Sequence, residues 1–261
     1  MNKDLEERYL NVINDNVNVG KSNPMAEFII LLAGLAVLFM FLYFFADVLG
    51  CFFIDRMSDK TQMKIENAFS FGINPKMYQT TNDTKRLEKI RDKIVPLDKK
   101  LQGKSKFPIY EVSEKDINAF VTPNGTIFFT KGLLTQIKDE ETLTFVLAHE
   151  LGHYAHRDHL KSISRQIIIS LILSMFSSGN NNADMTIGSI SDLNALSYSR
   201  NQEKNADMYA NKVVYRLYGN NQGAVEFFKL LEKKEKMPEY FQYFSTHPST
   251  KQRLRLIQNG R

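Results

Sequence analysis

Histidine is scarce in this chain, five residues in 261, and four of the five fall within TFVLAHELGHYAHRDH, residues 144–159. His149 and His153 are four apart, so on a helix they stand one above the other on a single face. Two imidazoles so placed can approach one zinc ion at about 2.0–2.1 Å. Glu150, the next residue, can hold a metal-bound water and accept its proton as general base for hydrolysis. Zinc lowers the pKa of such a water toward about 7, which puts hydroxide within reach at neutral pH. Phe145, Val146 and Leu147 mark the helix as buried, and a buried HExxH needs a reason to bury charge; a metal supplies it. The small Gly152 lets a neighbouring element pack close. With a single cysteine, Cys51, the chain has no internal disulfide framework and no thiolate zinc site. The ligands must therefore be His, Glu or Asp.

A catalytic zinc takes three protein ligands and a water, so one more is needed. His159 stands where HExxHxxGxxH enzymes place a third histidine. Those sequences carry glycine where this chain has His156, and a residue with a Cβ resists the turn back to the metal. His156, Arg157 and His159 therefore read as a helix end with solvated charges. The other candidate lies in YSRNQEKNADMYA. Glu203 and Asp207 are four apart and share a helix face, so Glu203 can complete the site while Asp207 hydrogen-bonds a ligating imidazole. Ala206 keeps that helix–helix contact tight. Taken alone, Glu–x–x–x–Asp is usually a solvated face; it gains meaning only beside HELGH. His247 opens HPSTKQRLRLI, with Arg253 six residues on. By itself this stretch reads as a helix-capping loop.

The elements that must position these residues can be read from periodicity. TKRLEKIRDKIVPLDKKL sets Leu87, Ile90, Ile94, Leu97 and Leu101 at spacings of three and four, an amphipathic helix that Pro96 kinks or splits. Ile109–Val112 reads as a strand. INAFVTPNGTIFFTKGLL holds two apolar runs around Pro123-Asn124-Gly125, a hairpin signature. The spacing of Leu143, Val146, Leu147, His149, Glu150 and His153 predicts a helix over 139–156, with acidic residues crowding its start. Further helices are expected over 189–217, 222–235 and 249–258. Turns are expected at Gly72 and Asn74-Pro75, a buried helix over Ile167–Phe176, and a loop at SSGNNNAD. The expected fold class is mainly α with a small antiparallel β-sheet, α+β.

Phe28–Ala46 carries no charge; as a helix it covers about 30 Å, the thickness of a hydrocarbon core. Tyr43, Phe44, Phe45, Phe52 and Phe53 suit a membrane interface. The run is too long, and too far from the start, for a cleaved signal peptide, and Asp47 argues against processing at the VLGC sequence, Val48–Cys51. An uncleaved anchor is expected over 25–50, after a polar, loose tail over 1–24, with a connector over 51–80 and the metal-binding domain over 81–261. Composition, 43% hydrophobic and 24% charged, is globular. The net charge of +5 suits an anionic membrane surface. No basic helix carries interleaved aromatics, so no nucleic-acid partner is expected.

Taken in order, NAFVTPNGTIFFTKGLL, LAHELGHYAHRDH, SRNQEKNAD and THPSTKQR resemble the HtpX and CAAX-prenyl-protease type of gluzincin metallopeptidases, and most of all the periplasmic and Oma-like members. The resemblance covers about residues 80–258. It implies a zincin-type domain with one zinc held by His149, His153 and Glu203, with Glu150 as catalytic base and Asp207 supporting the ligands. It also implies that His247 and Arg253 stabilise the transition state. The segment matching Asn118–Gly125 would form an edge strand that pairs with extended substrate; Asn118, Asn124 and Gly125 are its candidate substrate-binding residues. Pro-Asn-Gly stands where many relatives carry Pro-Gly-Gly. HtpX and the prenyl proteases span the membrane several times, whereas this chain has one convincing span, so an intramembrane chamber and a prenylated substrate are not expected. The resulting expectation is a single-pass, membrane-anchored zinc endopeptidase acting on extended or misfolded protein segments in quality control, bound to the bilayer through residues 28–46. By analogy its catalytic domain faces outside the cytoplasm. A zinc-binding chaperone or assembly factor with latent protease activity is the alternative.

Overall fold

In the computed structural model the described residues are 3–14, 23–68, 78–165, 167, 198–234, 247, 253, 255 and 257. Outside them lie the expected turns at Gly72 and Asn74-Pro75, the apolar stretch after Ile167, the SSGNNNAD loop, residues 189–197 and most of 249–258. The chain divides into two units, Met1–Ala46 and Asp47–Arg261.

In the first unit Lys3–Asn14 forms helix α1, where a loose tail was expected. The cause is local. Asp4 and Glu6 occupy the first turn, where carboxylates favour the helix dipole, and Arg8 Nε lies 3.6 Å from Asp4 Oδ2 at the i, i+4 spacing. Helix α2, Pro24–Arg56, carries the whole apolar run and continues into the second unit. It opens on Asn23, whose Oδ1 accepts from Met25 N at 3.1 Å. Among the described residues it is the one helix long and apolar enough to cross a bilayer. Its apolar side chains face outward: Phe28 is 61% exposed, Leu31 72% and Phe41 62%.

In the second unit, α3 (Asp59–Ala68) is followed by α4 (Asn82–Ile94), which begins with a capping box between Thr81 and Thr84. Leu87, Ile90 and Ile94 are buried, as their spacing predicts. At Pro96 the helix gives way to a 3-10 turn, Val95–Leu97, because the ring removes a donor and crowds the preceding turn.

The sheet contains β1 (Ile109–Val112), β2 (Ala119–Val121) and β3 (Ile127–Thr130) in the order β1-β3-β2. β2 and β3 form the expected hairpin, with Ala119 opposite Phe129. Its loop is closed by Thr122 N donating to Thr126 O at 2.8 Å, with Gly125 at φ +80°. The sheet is mixed, however, not purely antiparallel: β1 runs parallel to β3. A tight hairpin forces β2 and β3 to oppose each other. Residues 113–118 then carry the chain from β1 past β3 to β2, so β1 shares the direction of β3.

After the short α5 (Lys131–Gln136) comes α6, Glu140–Ala155, which matches the expected helix to within one residue at each end. Asp139 caps it, with Oδ2 accepting from Thr142 N at 2.7 Å, and Glu140 and Glu141 fill its first turn. Every residue from Thr142 to Ala155 is buried, so α6 is the central helix, enclosed on all sides. It packs against β2 and α4, and against α7 (Arg200–Tyr218) and α8 (Gln222–Lys234). Phe145 of α6 meets Phe227 and Phe228 of α8 with ring centroids 5.6 Å apart in each case. α7 starts with a Ser199/Gln202 capping box and stops at Gly219, which takes the left-handed conformation at φ +74°. The α6–α7 contact is as close as the small residues allow. A Cβ on Gly152 would lie 3.3 Å from Ala206 Cα and 3.1 Å from Tyr209 Cδ1. That closeness brings the carboxylates of α7 to the histidines of α6.

Candidate metal centre

His149 and His153 project from one face of α6 with their Nε2 atoms 3.1 Å apart. Glu203, from α7, places Oε1 3.2 Å from His153 Nε2 and Oε2 3.6 Å from His149 Nε2. A tetrahedral zinc with bonds of about 2.0–2.1 Å holds its ligands about 3.3 Å from one another. Each of these three separations is close to the spacing that zinc requires, with the two Glu203 oxygens facing one histidine each. His247 Nδ1 lies 2.9 Å from Glu203 Oε1 and 3.3 Å from His149 Nε2. All four residues are buried, and their donor atoms lie within 4.8 Å of one another. His247 therefore sits inside the donor cluster, closer than a residue expected only to steady a transition state.

The other ring nitrogen of each histidine faces a carboxylate, which leaves Nε2 turned toward the cluster. His149 Nδ1 lies 3.0 Å from Asp207 Oδ1, and His153 Nδ1 lies 2.9 Å from Asp158 Oδ2. A carboxylate at Nδ1 fixes the tautomer that leaves the Nε2 lone pair for a metal. Arg253 ties the second layer together. Its Nε and Nη2 donate to Asp207 at 2.6 and 2.7 Å, and its Nη1 lies 2.7 Å from Glu203 Oε2.

Charge makes the same case for a cation. Among the described residues four buried carboxylates, Glu150, Asp158, Glu203 and Asp207, crowd this centre beside one buried guanidinium. Burial raises the Glu150 carboxyl above its ordinary value. Burial would raise Glu203 as well, but Arg253 and His247 outweigh it and hold that carboxyl well below the usual range. Asp207 is likewise lowered, because Arg253 outweighs burial. Burial disfavours protonated His149 and takes it down to about 4. At His153 burial also opposes the charge, yet hydrogen bonds to Asp158 and Glu203 push it up to about 10. Negative charge gathered out of water in this way calls for a cation, which a zinc ion supplies.

Two neighbours of the centre were missed in the sequence. Asp158 lies in HRDH, which reads as a solvated helix end. Tyr198 stacks on the His153 ring, centroids 3.8 Å apart and 14° between planes. The one available signal was a carboxylate five residues after a ligating histidine. We predict that Asp158→Asn weakens zinc binding about 10- to 100-fold, the usual effect of losing such a support, as read by competition with a chelating dye. Unchanged affinity would show that Asp158 has no part in holding His153.

The HRDH segment needs a correction. His156 ends α6 in the right-handed region, and Arg157 takes the turn at φ +59°. Residues 158–165 are then helical again. This folds His159 inward, fully buried, with its ring stacked on Tyr154 at 5.2 Å, and Asp158 is buried as well. Neither is solvated, and His159 is not part of the donor cluster. Arg157 is held too: Nη1 donates to Ile54 O and Met57 O, each at 2.8 Å, and Nη2 to Asp59 Oδ1 at 2.8 Å.

The substrate-binding candidates fall at the hairpin. β2 is an edge of the three-stranded sheet and packs against α6. Asn118, at its start, is buried and donates its backbone N–H to Thr130 Oγ1 at 2.9 Å. Asn124 Oδ1 accepts from Thr126 N at 3.2 Å, and Asn124 O accepts from Ser105 Oγ at 3.2 Å. A Cβ on Gly125 would meet Ser105 at 2.7 Å. The contacts of Asn124 and Gly125 are those of a turn pinned to the 105–107 segment, and none reaches the donor cluster.

A buried HExxH helix, a carboxylate donor from a second helix and an edge strand alongside define a metallopeptidase-type domain of the zincin class. The chain belongs to peptidase family M48: the profile described as Peptidase family M48 matches residues 81–260. M48 metalloproteases use zinc, and the His149–His153–Glu203–His247 cluster is one that can hold it. The mitochondrial metalloendopeptidase OMA1 of Schizosaccharomyces pombe is 27% identical over 214 residues, 79% of this chain and 60% of that protein. The protease HtpX of Legionella pneumophila (strain Philadelphia 1) is 32% identical over 166 residues, 54% of this chain and 57% of that protein. The mitochondrial metalloendopeptidase OMA1 of Bos taurus is 49% identical over 45 residues, 17% of this chain and 9% of that protein. The matches to the yeast and Legionella proteins thus span about three fifths of those relatives' length.

Proposed function

We propose that this chain is a single-pass, membrane-anchored zinc endopeptidase that hydrolyses peptide bonds in extended or misfolded protein segments, as protein quality control requires. The observation that carries the reading is the buried donor cluster of His149, His153 and Glu203, spaced as a zinc ion requires, with Glu150 on the adjoining position of α6. The family and the named activities of its relatives support the protease class. The exposed apolar face of α2 supports the anchor.

His149, His153 and Glu203 would hold the ion, which when bound supplies Lewis-acid polarisation and a water of lowered pKa. Glu150 takes the proton of the attacking water and delivers it to the leaving amine. Its burial raises its proton affinity toward what such a shuttle needs. His247 Nε2 stands 3.9 Å from Glu150 Oε1, so His247 lies beside the base and can donate to the oxyanion. Arg253 was expected to share that task. Its three nitrogens are instead engaged with Asp207, Glu203 and, at 3.4 Å, His247 O. We assign it to positioning. Asn118 and the β2 edge remain the proposed track for extended substrate.

The test is to incubate the purified, zinc-loaded full chain with unfolded casein and sequence the products by mass spectrometry. Internal cleavage fragments are expected. Casein that stays intact and soluble would replace the protease with a zinc-binding chaperone.

A further inference from the structure

A second site adjoins the metal centre and shares Asp158 with it. A cavity of about 650 Å³ is lined by the end of α2, the start of α7 and the segment around Arg157. Six cationic side chains face it: Lys99, Lys100, Lys104, Arg157, Lys161 and Arg165. Among the described residues three carboxylates accompany them, Asp55, Asp59 and Asp158. Asp158 is turned toward His153, while Asp55 pairs with Lys161 at 2.8 Å and Asp59 with Lys104 at 2.8 Å. Lys99 and Lys100 are exposed and make no ion pair among the described residues. Ser199, Asn201 and Gln202, at the start of α7, also line it, with Asn205 one turn on. This is an enclosure with surplus positive charge and many donors, of a size that takes a ligand.

Its place on α2 says which anion. Cys51 and Asp55, four apart on one helix face, line the cavity. The neighbouring Phe52 and Phe53 are 48% and 64% exposed, and the Arg56 guanidinium lies 3.7 Å from the Phe52 ring centroid. An exposed apolar pair beside an arginine suits the end of a membrane helix, where the cation reaches toward water. Cys51 and Asp55 thus set the cavity on the continuation of the apolar helix, a few residues past the uncharged run that ends at Ala46, where a headgroup follows the hydrocarbon along an anchor.

We propose that this basic cavity binds the phosphate-bearing headgroup of an anionic phospholipid. The proposal rests on α2 being a bilayer anchor. A headgroup there would touch the segment that ends α6, three to five residues beyond His153, so lipid composition would be felt at the zinc helix.

The experiment uses the full chain in neutral detergent, with short-chain phosphatidylglycerol, phosphatidylcholine or inorganic phosphate as probes. Thermal unfolding is followed at each concentration. Phosphatidylglycerol should raise the unfolding temperature where phosphatidylcholine does not. Lys99→Gln/Lys100→Gln should raise the half-saturating concentration at least about tenfold, while Lys115→Gln/Lys131→Gln should leave it unchanged. Cys51 is the chain's single cysteine, so alkylation of the unmodified protein gives a second readout, and phosphatidylglycerol should slow it severalfold. Equal responses to both lipids, or an unchanged response in the Lys99/Lys100 variant, would overturn the proposal. So would inorganic phosphate reproducing the effect, which would make this a soluble-phosphate site. Alkaline carbonate extraction separates the two readings. A chain released from membranes sinks the anchor, whereas one retained but indifferent to headgroup sinks only the cavity.

Discussion

Glu150→Gln should lower the turnover number on casein or a quenched peptide by about 10³-fold or more while zinc content stays at the wild-type level. Loss of a general base costs about 10²–10⁴-fold, and 10³ corresponds to about 4 kcal/mol in the barrier. The amide keeps the shape of a side chain that is 1% exposed, so packing is undisturbed. Burial already disfavours the ionised carboxylate at this position. Removing that charge therefore leaves the fold no less stable at neutral pH, and the melting temperature should not fall. The three proposed zinc donors are other residues, so metal analysis and turnover should part company. A variant within threefold of wild type in turnover would remove Glu150 from the mechanism. One that is inactive because it has lost its zinc would make Glu150 part of the metal site.

The second large effect concerns the ligand set. Glu203→Ala should lose zinc, with affinity falling about 10²–10³-fold. Three or four ligands share a binding free energy of about 10–16 kcal/mol in structural sites, or roughly 3–4 kcal/mol each. The variant also removes one of the two carboxylates held by Arg253. A buried charge that loses a partner destabilises the fold by about 3–5 kcal/mol. Glu203→Gln, which keeps the volume and one oxygen donor, separates the two effects: it should bind zinc weakly and remain folded. His159→Ala is the counterpart. His159 lies outside the donor cluster, so the folded fraction of that variant should retain its zinc. Retention in Glu203→Ala with loss in His159→Ala would reverse the ligand assignment.

The parts of this structure that periodicity could reveal were those set by neighbours in sequence. The i, i+4 spacing of His149 and His153, the acidic start of α6, the break at Pro96 and the Pro-Asn-Gly hairpin are all local, and each is found where expected. Glu203 and Asp207 share a helix face, as their spacing required, and Gly152 and Ala206 bring the two helices together. Tertiary choices stayed hidden. β1 runs parallel to β3 because of the route its connector takes, and no residue pattern states that route. His159 looked solvated because the segment is polar. It is buried because Arg157, not a glycine, adopts the left-handed turn and is held there by the carbonyls of Ile54 and Met57, at the end of α2 and just past it, and by Asp59. That compensation spans about a hundred residues and leaves no mark on the local sequence. The same turn delivers Asp158 to His153, which is why its role could not be read from HRDH.

The grip of Arg253 on Asp207 and Glu203 has a bearing on how the protein is made. HELGH leaves the ribosome long before residue 253 does. Until that arginine arrives, Glu203 and Asp207 have no guanidinium to offset their mutual repulsion, and the pocket has reason to stay open and undocked. Translation order thus puts the side chain that rivets the site about a hundred residues behind the histidines it serves.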